Sequence, residues 1–437
     1  MAATKRDFGS FHASNVEELV SLPDEAYVPP SLPFDTPSFD EYRKNPPQFG
    51  QKLREKHFLL DKECVFLNHG AFGGTLSQAL DVAQKWQRHT ERQPLRFFDR
   101  ELLPHLVHVT RRMASFVGCS PGDLVLIQNV TTAINCVVRS QNIKKGETVY
   151  MLNLTYGAVK KLITHVCENT GATIQEEKVI LPLQSQQQIV DLVDRTLKEG
   201  TKLAIFDHIP SNTPFILPIK QLIQICHNRG VPVLIDGAHA LGSLTLDLDD
   251  LDPDFYVSNC HKWLCSPKGA AVMYVKQRWQ HQTRPLIISH GLGSGFISEF
   301  IWAGLRDYSP LLSIHTVLDF WDALDTKATH CHLYNLAKMA ANTLKDKWKS
   351  NFLAPLEMFG TMVAVQLPLE LYKHCEVVDY TKAEIIQNYL YEKNIEVPIK
   401  AIQGHLYVRI SVHVYNELKE YEHLGELVLN LTREKIL

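Results

Sequence analysis

The sequence predicts an α/β protein: a large domain with a mostly parallel sheet covered by helices, then a smaller α+β C-terminal domain. Three observations predict it. Short apolar runs of strand length alternate with helix-period segments from about residue 76 to about residue 310; strands buried on both faces read as such unbroken runs. Beyond 310 the alternation stops, and a long helical stretch precedes strand, helix, strand and helix. The length, 437 residues, accommodates a large domain plus a small one. The boundaries this implies are an N-terminal arm at 1–50, the large domain at 51–310 and the small domain at 311–437.

The arm carries Pro29, Pro30, Pro33, Pro37, Pro46 and Pro47 and little periodicity. Proline removes a backbone donor and fixes φ, so extended chain is favoured there over helix. Such an arm is either disordered or wrapped on a partner subunit. Leu102, Leu103, Leu106, Val107, Met113, Phe116 and Val117 recur at helical spacing. The apolar run 124–127 is a strand. Asn129 to Thr132 then opens a helix that ends near Ser140. Strands at 148–152, 173–180, 203–206, 231–235 and 255–257 follow. The helices between them fall at 156–169, 187–198 and 219–229, the last ended by Gly230. Right-handed crossovers are the default for such units. In the smaller domain the pattern gives a helix over 311–350, a strand at 361–367, a helix at 379–393, a strand at 405–411 and a terminal helix at 416–433.

Composition removes several function classes. Lys and Arg total 45 against 48 Asp and Glu. The net charge of −3 supplies no general drive toward nucleic acid or a membrane surface. The longest window free of charged residues, 64–80, is broken by Asn68, His69 and glycines, so no membrane span is read. The first residues lack the apolar core of a secretory signal. Nine cysteines without zinc spacing read as reduced thiols of a cytoplasmic protein. No metal site is expected: His330-Cys331-His332 sits in a helical stretch, where adjacent residues face different ways. The Gly291-Leu-Gly293-Ser-Gly295 run lacks the strand-then-helix context of a dinucleotide loop.

Chemistry is expected beyond the carboxyl ends of the parallel strands. Five of those ends carry polar groups: Asn129 to Thr132, Asn153 to Tyr156, Asp207-His208, Asp236 to His239, and Ser258 to Lys262. Lys262 follows one apolar strand and Asp236 another. A lysine is ordinarily a solvated surface charge. Buried, it becomes a neutral amine able to attack a carbonyl. An aspartate at a neighbouring strand end could hold a protonated pyridine nitrogen. That pairing is what pyridoxal phosphate chemistry needs. Thr131 and Thr132, at a helix start, offer amides and hydroxyls to a phosphate, or simply cap the helix. Ser258 and His261 could add to that site. Tyr156 stacks on a flat ring or packs as an amphipathic core residue. His239 bonds a ring hydroxyl or is a satisfied core histidine.

Residues 64–310 resemble the class V branch of fold-type I pyridoxal-phosphate enzymes, and within it the group of isopenicillin N epimerases and cysteine desulfhydrases. The stretches that carry the resemblance run in order: Phe66 to Gly73, Gln128 to Ala133, Asp207-His208-Ile209, Asp236 to Ala240, Ser258 to Lys262, His290 to Phe296, Trp302 to Asp307, and Arg409 to Asn416. The resemblance implies that Lys262 forms the imine with the cofactor and that Asp236 pairs with the pyridine nitrogen. It places His239 near the ring hydroxyl and Tyr156 over the ring. It gives the phosphate to Thr131, Thr132, Ser258 and His261. Arg409 takes the substrate carboxylate as a bidentate fork, with Asn68 near the same end. It also implies a homodimer with active sites at the interface.

Two departures stand out. Leu305 occupies a position where relatives often carry a threonine that reaches the other subunit's phosphate. The segment 395–405 before Arg409 has no cysteine, unlike the mobile catalytic loop of cysteine desulfurases. The expected activity is therefore a carbon–sulfur β-lyase acting on cysteine or a cysteine conjugate and releasing pyruvate and ammonia. Epimerisation and amino transfer use the same residues, and a catalytically inactive binding scaffold is the alternative of a different class.

Overall fold

The computed structural model describes residues 15–434. Its centre is a seven-stranded sheet of β1 (Leu124–Ile127), β2 (Thr148–Leu152), β3 (Thr173–Glu177), β4 (Leu203–Asp207), β5 (Val233–Asp236), β6 (Phe255–Asn259) and β7 (Ala271–Val275). The spatial order is β1-β7-β6-β5-β4-β2-β3. Strand β7 runs antiparallel to both its neighbours, and the other pairings are parallel. Every residue of β4, β5 and β6 is buried, which is why these strands read as continuous apolar runs. Helices Val130–Ser140, Gly157–Thr170, Gln187–Thr196 and Ile219–Asn228 connect successive strands. Strand β7 was not read from the sequence: its apolar run follows the Gly/Pro stretch that closes the loop after β6. The expected strand at 173–180 stops at Glu177.

A three-stranded antiparallel sheet forms the smaller C-terminal part, in the order β9-β10-β8, with β8 at Met362–Gln366, β9 at Ile399–Ile402 and β10 at His405–Ser411. The expected helix over 311–350 is broken into Ser309–Leu312, Ile314–Ala323 and Thr326–Trp348. Asp325 causes the last break. It adopts φ +57°, and its carboxylate accepts the amides of Lys327 (3.1 Å) and Ala328 (3.2 Å), so it caps a new helix.

The arm is less extended than its prolines suggest. Residues 1–14 lie outside the described residues. Beyond them, helices Val16–Ser21 and Asp40–Lys44 flank the proline-rich stretch. Val16 and Val20, one turn apart, bury against the helix Leu102–Val117. From that helix Arg111 donates to the carbonyls of Val20 and Leu22, both at 2.8 Å, and packs 4.2 Å from the Tyr27 ring centroid. The described part of the arm is thus fastened to its own chain.

A short parallel bridge joins Val65–Phe66 to Ile395–Glu396, and the Ser411 amide donates to the Leu67 carbonyl at 2.9 Å. These bonds bring residues 65–73 and the end of β10 together beside the carboxyl edge of the large sheet.

Candidate active site

A cleft of about 200 Å³ opens at that edge. Thr131, Tyr156, Asp236, His239, His261 and Lys262 all line it. They come from the ends of four strands and share a cleft because β1, β2, β5 and β6 point the same way.

Lys262 follows β6 on a tight turn and carries its amine among buried groups. Its pKa is pushed down to about 8, first by burial and then by the Arg409 cation; Asp236 and Asp207 oppose the shift. Its Nζ stands 3.2 Å from His239 Nε2. His239 is held well below the usual imidazole range by burial and by the cations Lys262 and Arg409. On the other side of its ring, Nδ1 accepts the Trp263 indole N–H at 3.4 Å.

Asp236 ends β5 and pairs in register with Asp207 at the end of β4. Both carboxyls are buried, and both line the cleft. One Asp236 oxygen accepts the Ala238 amide at 3.0 Å. Burial raises the pKa of both groups. For Asp207 the neighbouring Asp236 raises it further, which favours its protonated form. Asp207 Oδ1 is buried without a partner. The sequence reading noted Asp207 at a strand end and gave it no role.

The phosphate-side candidates divide. Asn129 caps the helix Val130–Ser140, its side chain accepting the Thr132 amide at 2.8 Å and the Thr132 hydroxyl at 3.1 Å. Asn259 accepts the Val130 amide at 3.1 Å. Thr131 therefore supplies the donors at this helix start that line the cleft, and Thr132 is occupied by its cap. Ser258 is also placed otherwise than expected. It is fully buried, donates to the Gly237 carbonyl and accepts the Leu241 amide at 3.2 Å, so it braces the turn after β5 instead of lining the cleft. His261 lines the cleft with Nδ1 buried and without a partner, its pKa lowered to about 4 by burial.

Arg409 and Asn68 sit one bond behind the wall. Arg409 donates to the Ser211 carbonyl (2.6 Å) and hydroxyl (3.2 Å) and to the Asn68 side-chain oxygen (2.9 Å). Asn68 in turn donates to Glu396 at 3.0 Å. Ser211 lines the cleft, while Arg409 Nε is buried with no partner. Sequence reasoning missed Ser211, whose place depends on a loop that follows β4. Tyr156 is 48% exposed at the cleft and does not pack as a core residue.

The Lys262 turn is braced from behind. His69 bonds the Lys262 carbonyl at 3.0 Å, and His413 bonds the Trp263 carbonyl at 3.2 Å. The two rings stack with centroids 4.0 Å apart. Gly73 presses on the same turn: with φ +71°, a Cβ there would lie 2.2 Å from the His261 carbonyl oxygen.

The sequence model of the Aminotransferase class-V family matches residues 104–424. The chain belongs to the class-V aminotransferase family. Within the family it is 30% identical to a probable chloroplastic L-cysteine desulfhydrase of Arabidopsis thaliana, over 86% of this chain and 84% of the relative. It is 26% identical to an isopenicillin N epimerase of Streptomyces clavuligerus, over 86% and 96%. Among solved structures it is similar to the cystine C–S lyase C-DES in complex with cysteine persulfide, with a TM-score of 0.73 and 18% identity over 85% of this chain and 98% of the other. A cysteine desulfurase from Thermococcus onnurineus NA1 gives a TM-score of 0.72 at 16% identity, over 89% and 99%. These likenesses bear out the fold expected of a class-V family member: a mostly parallel central sheet with helices and a smaller C-terminal domain.

Proposed function

We propose that the chain is a pyridoxal-phosphate-dependent lyase that breaks the Cβ–S bond of cysteine or a cysteine conjugate, giving pyruvate and ammonia. One observation carries the reading: a buried lysine amine, its pKa lowered to about 8, shares a cleft with a pair of buried carboxyls. Relatives named L-cysteine desulfhydrase support the sulfur chemistry.

The residues fit pyridoxal phosphate. Thr131 and His261 meet the phosphate at the helix start; a bound dianion would draw a proton onto His261 Nδ1, now without a partner. Asn129 lines that end with its side chain engaged in the helix cap, and Thr132 and Ser258 shape it from behind. Bound there, pyridoxal phosphate supplies an aldehyde that couples to amines and a ring that takes up the electron pair left when a Cα–H bond breaks. Asp236 would hold the proton on the ring nitrogen, and a neutral Asp207 beside it would keep the pair from carrying two charges. Tyr156 would cover the ring, and His239 would bond the ring hydroxyl. Lys262 Nζ takes the α-proton. Arg409 grips the substrate carboxylate once Ser211 yields its place, with Asn68 steadying the other arm of the guanidinium. From cysteine and water the balanced products are pyruvate, ammonia and sulfide. No cysteine lies in the segment 395–405, so the sulfur leaves without passing to a protein thiol.

The same reading divides the chain into an arm at 1–50, a large domain at 51–310 and a small domain at 311–437. The substrate is a small amino acid, and no helix of the described residues is long and apolar enough to cross a membrane. All nine cysteines are unpaired, which suits the reducing cytoplasm. Phe72 at the cleft and Leu305 are each 75% exposed, as a homodimer interface would leave them in one protomer.

The second reading is epimerisation, favoured by the Tyr156 phenol at the cleft and by relatives named isopenicillin N epimerase. One experiment tests both. Protein loaded with cofactor is given L-cysteine in deuterated water, and pyruvate, sulfide and deuterium at Cα are measured. Equal pyruvate and sulfide support the lyase. Deuterium uptake without pyruvate supports the epimerase. Loaded protein that gives neither sinks the assignment to cysteine.

A further inference from the structure

Trp263, immediately after Lys262, is fully buried and does not line the cleft. Its indole nitrogen can only donate a hydrogen bond. It donates to His239 Nδ1, so that nitrogen must be bare. His239 is 3% exposed, with the titratable groups Lys262, Arg409 and His69 around it, and the ring is neutral. A neutral imidazole with a bare Nδ1 carries its proton on Nε2. Nε2 is the atom that stands 3.2 Å from Lys262 Nζ.

The opposite tautomer sets a donor against a donor. With the proton on Nδ1, an N–H would face the indole N–H across 3.4 Å in a site that excludes water. A buried donor left without an acceptor costs roughly 1–3 kcal/mol in general. The arrangement that satisfies all three side chains has the indole donating to Nδ1 and Nε2–H donating to the lysine. Only an amine with a free lone pair can accept that bond. Asp236 and Asp207 favour the ammonium form, while Arg409 and burial disfavour it.

We propose that Trp263 is a positioning residue: through its indole N–H it fixes His239 in the Nε2–H tautomer, so that the ring presents a donor to Lys262 Nζ and biases that group toward its nucleophilic free-amine form. When the lysine is engaged elsewhere, the same N–H is left pointing at the spot the amine vacated. It is then ready for an acceptor such as the ring oxygen of the cofactor. This last step rests on the pyridoxal-phosphate reading; the tautomer does not.

The test starts with cofactor-free protein carrying 15N-histidine. Long-range proton–nitrogen correlation reads each ring nitrogen between pH 6 and 9, and His239 is assigned by its loss in His239→Gln. The expected spectrum shows Nε2 protonated and Nδ1 bare. A bare Nε2, or a doubly protonated ring at neutral pH, overturns the proposal. Two replacements at position 263 then remove the donor: Trp263→Phe, and benzothienylalanine, which keeps the bicyclic shape with sulfur in place of N–H. In each variant that folds, the Nδ1–H tautomer becomes populated. The pH midpoint of Lys262, read from its rate of coupling to added pyridoxal, rises by about one unit, or roughly tenfold less free amine near neutrality. An unchanged tautomer and midpoint in the sulfur analogue overturn the proposal even if Trp263→Phe fails to fold. Protein with the expected spectrum that never couples to the aldehyde defeats the enzymatic reading alone.

Discussion

The free amine of Lys262 is the quantity on which the chemistry turns, and it can be titrated directly. An ordinary lysine, at 10.5, is deprotonated about once in 3,000 molecules at pH 7. At about 8, Lys262 is deprotonated in roughly one molecule in ten. The gain in nucleophile is about 300-fold, and burial is its first cause. The perturbation is pH. Cofactor-free protein is mixed with pyridoxal phosphate at pH 6 to 10 in a stopped-flow instrument, and the growth of the visible band is followed. The rate should climb about tenfold per pH unit and bend near 8. Lys262→Arg should abolish the phase, and borohydride followed by peptide mapping should place the pyridoxyl group on residue 262 in the parent. A rate that climbs without a bend beyond pH 10 would refute the argument, because it would mean that the amine is solvated and the cleft no drier than the surface.

Asp207 gives a stability signature. Its folded pKa lies above that of an unfolded aspartate, so the native state keeps a proton that the unfolded chain releases. Stability contributed this way falls as pH rises above about 4. Asp207→Asn should therefore raise the urea midpoint of the cofactor-free protein at pH 7 and flatten its slope between pH 5 and 8; an unchanged slope would assign the proton elsewhere. Arg409→Lys loses the planar fork held by Ser211 and Asn68. Steady-state kinetics on cysteine should show KM up about 10- to 100-fold with little change in kcat, the pattern of lost ground-state binding; a selective fall in kcat would contradict a binding role. Gly73→Ala drives a Cβ into the His261 carbonyl at a left-handed φ. It should cost on the order of 1–3 kcal/mol and loosen cofactor retention, seen as a lower Tm and faster cofactor loss in dialysis. A variant with parental Tm would show that the turn can move.

Much of the fold was legible along the chain because burial on both faces leaves a one-dimensional trace. Strands 148–152 and 405–411 are found at their expected bounds, and the helix starting at Asn129 announces itself through its cap. The sequence also located Lys262 and Asp236, since a charged residue directly after an apolar run is a local signal. Strand β7 escaped because antiparallel insertion beside β6 is a pairing choice that a short apolar run does not encode. The last break in the helical stretch after 310 turned on one left-handed aspartate.

At the site, tertiary contacts decide which bonds the hydroxyls and amides of the strand ends make. Thr132 and Ser258 stand beside the cleft, yet their donors are taken up by Asn129 and Gly237. A polar residue at a strand end can turn to either side, and only its neighbours in space decide which bond it makes. The lysine and the aspartate were thus set by the order of the residues. The state of the amine was set by packing, because proton affinity depends on the exclusion of water and on groups such as Arg409, nearly 150 residues away along the chain.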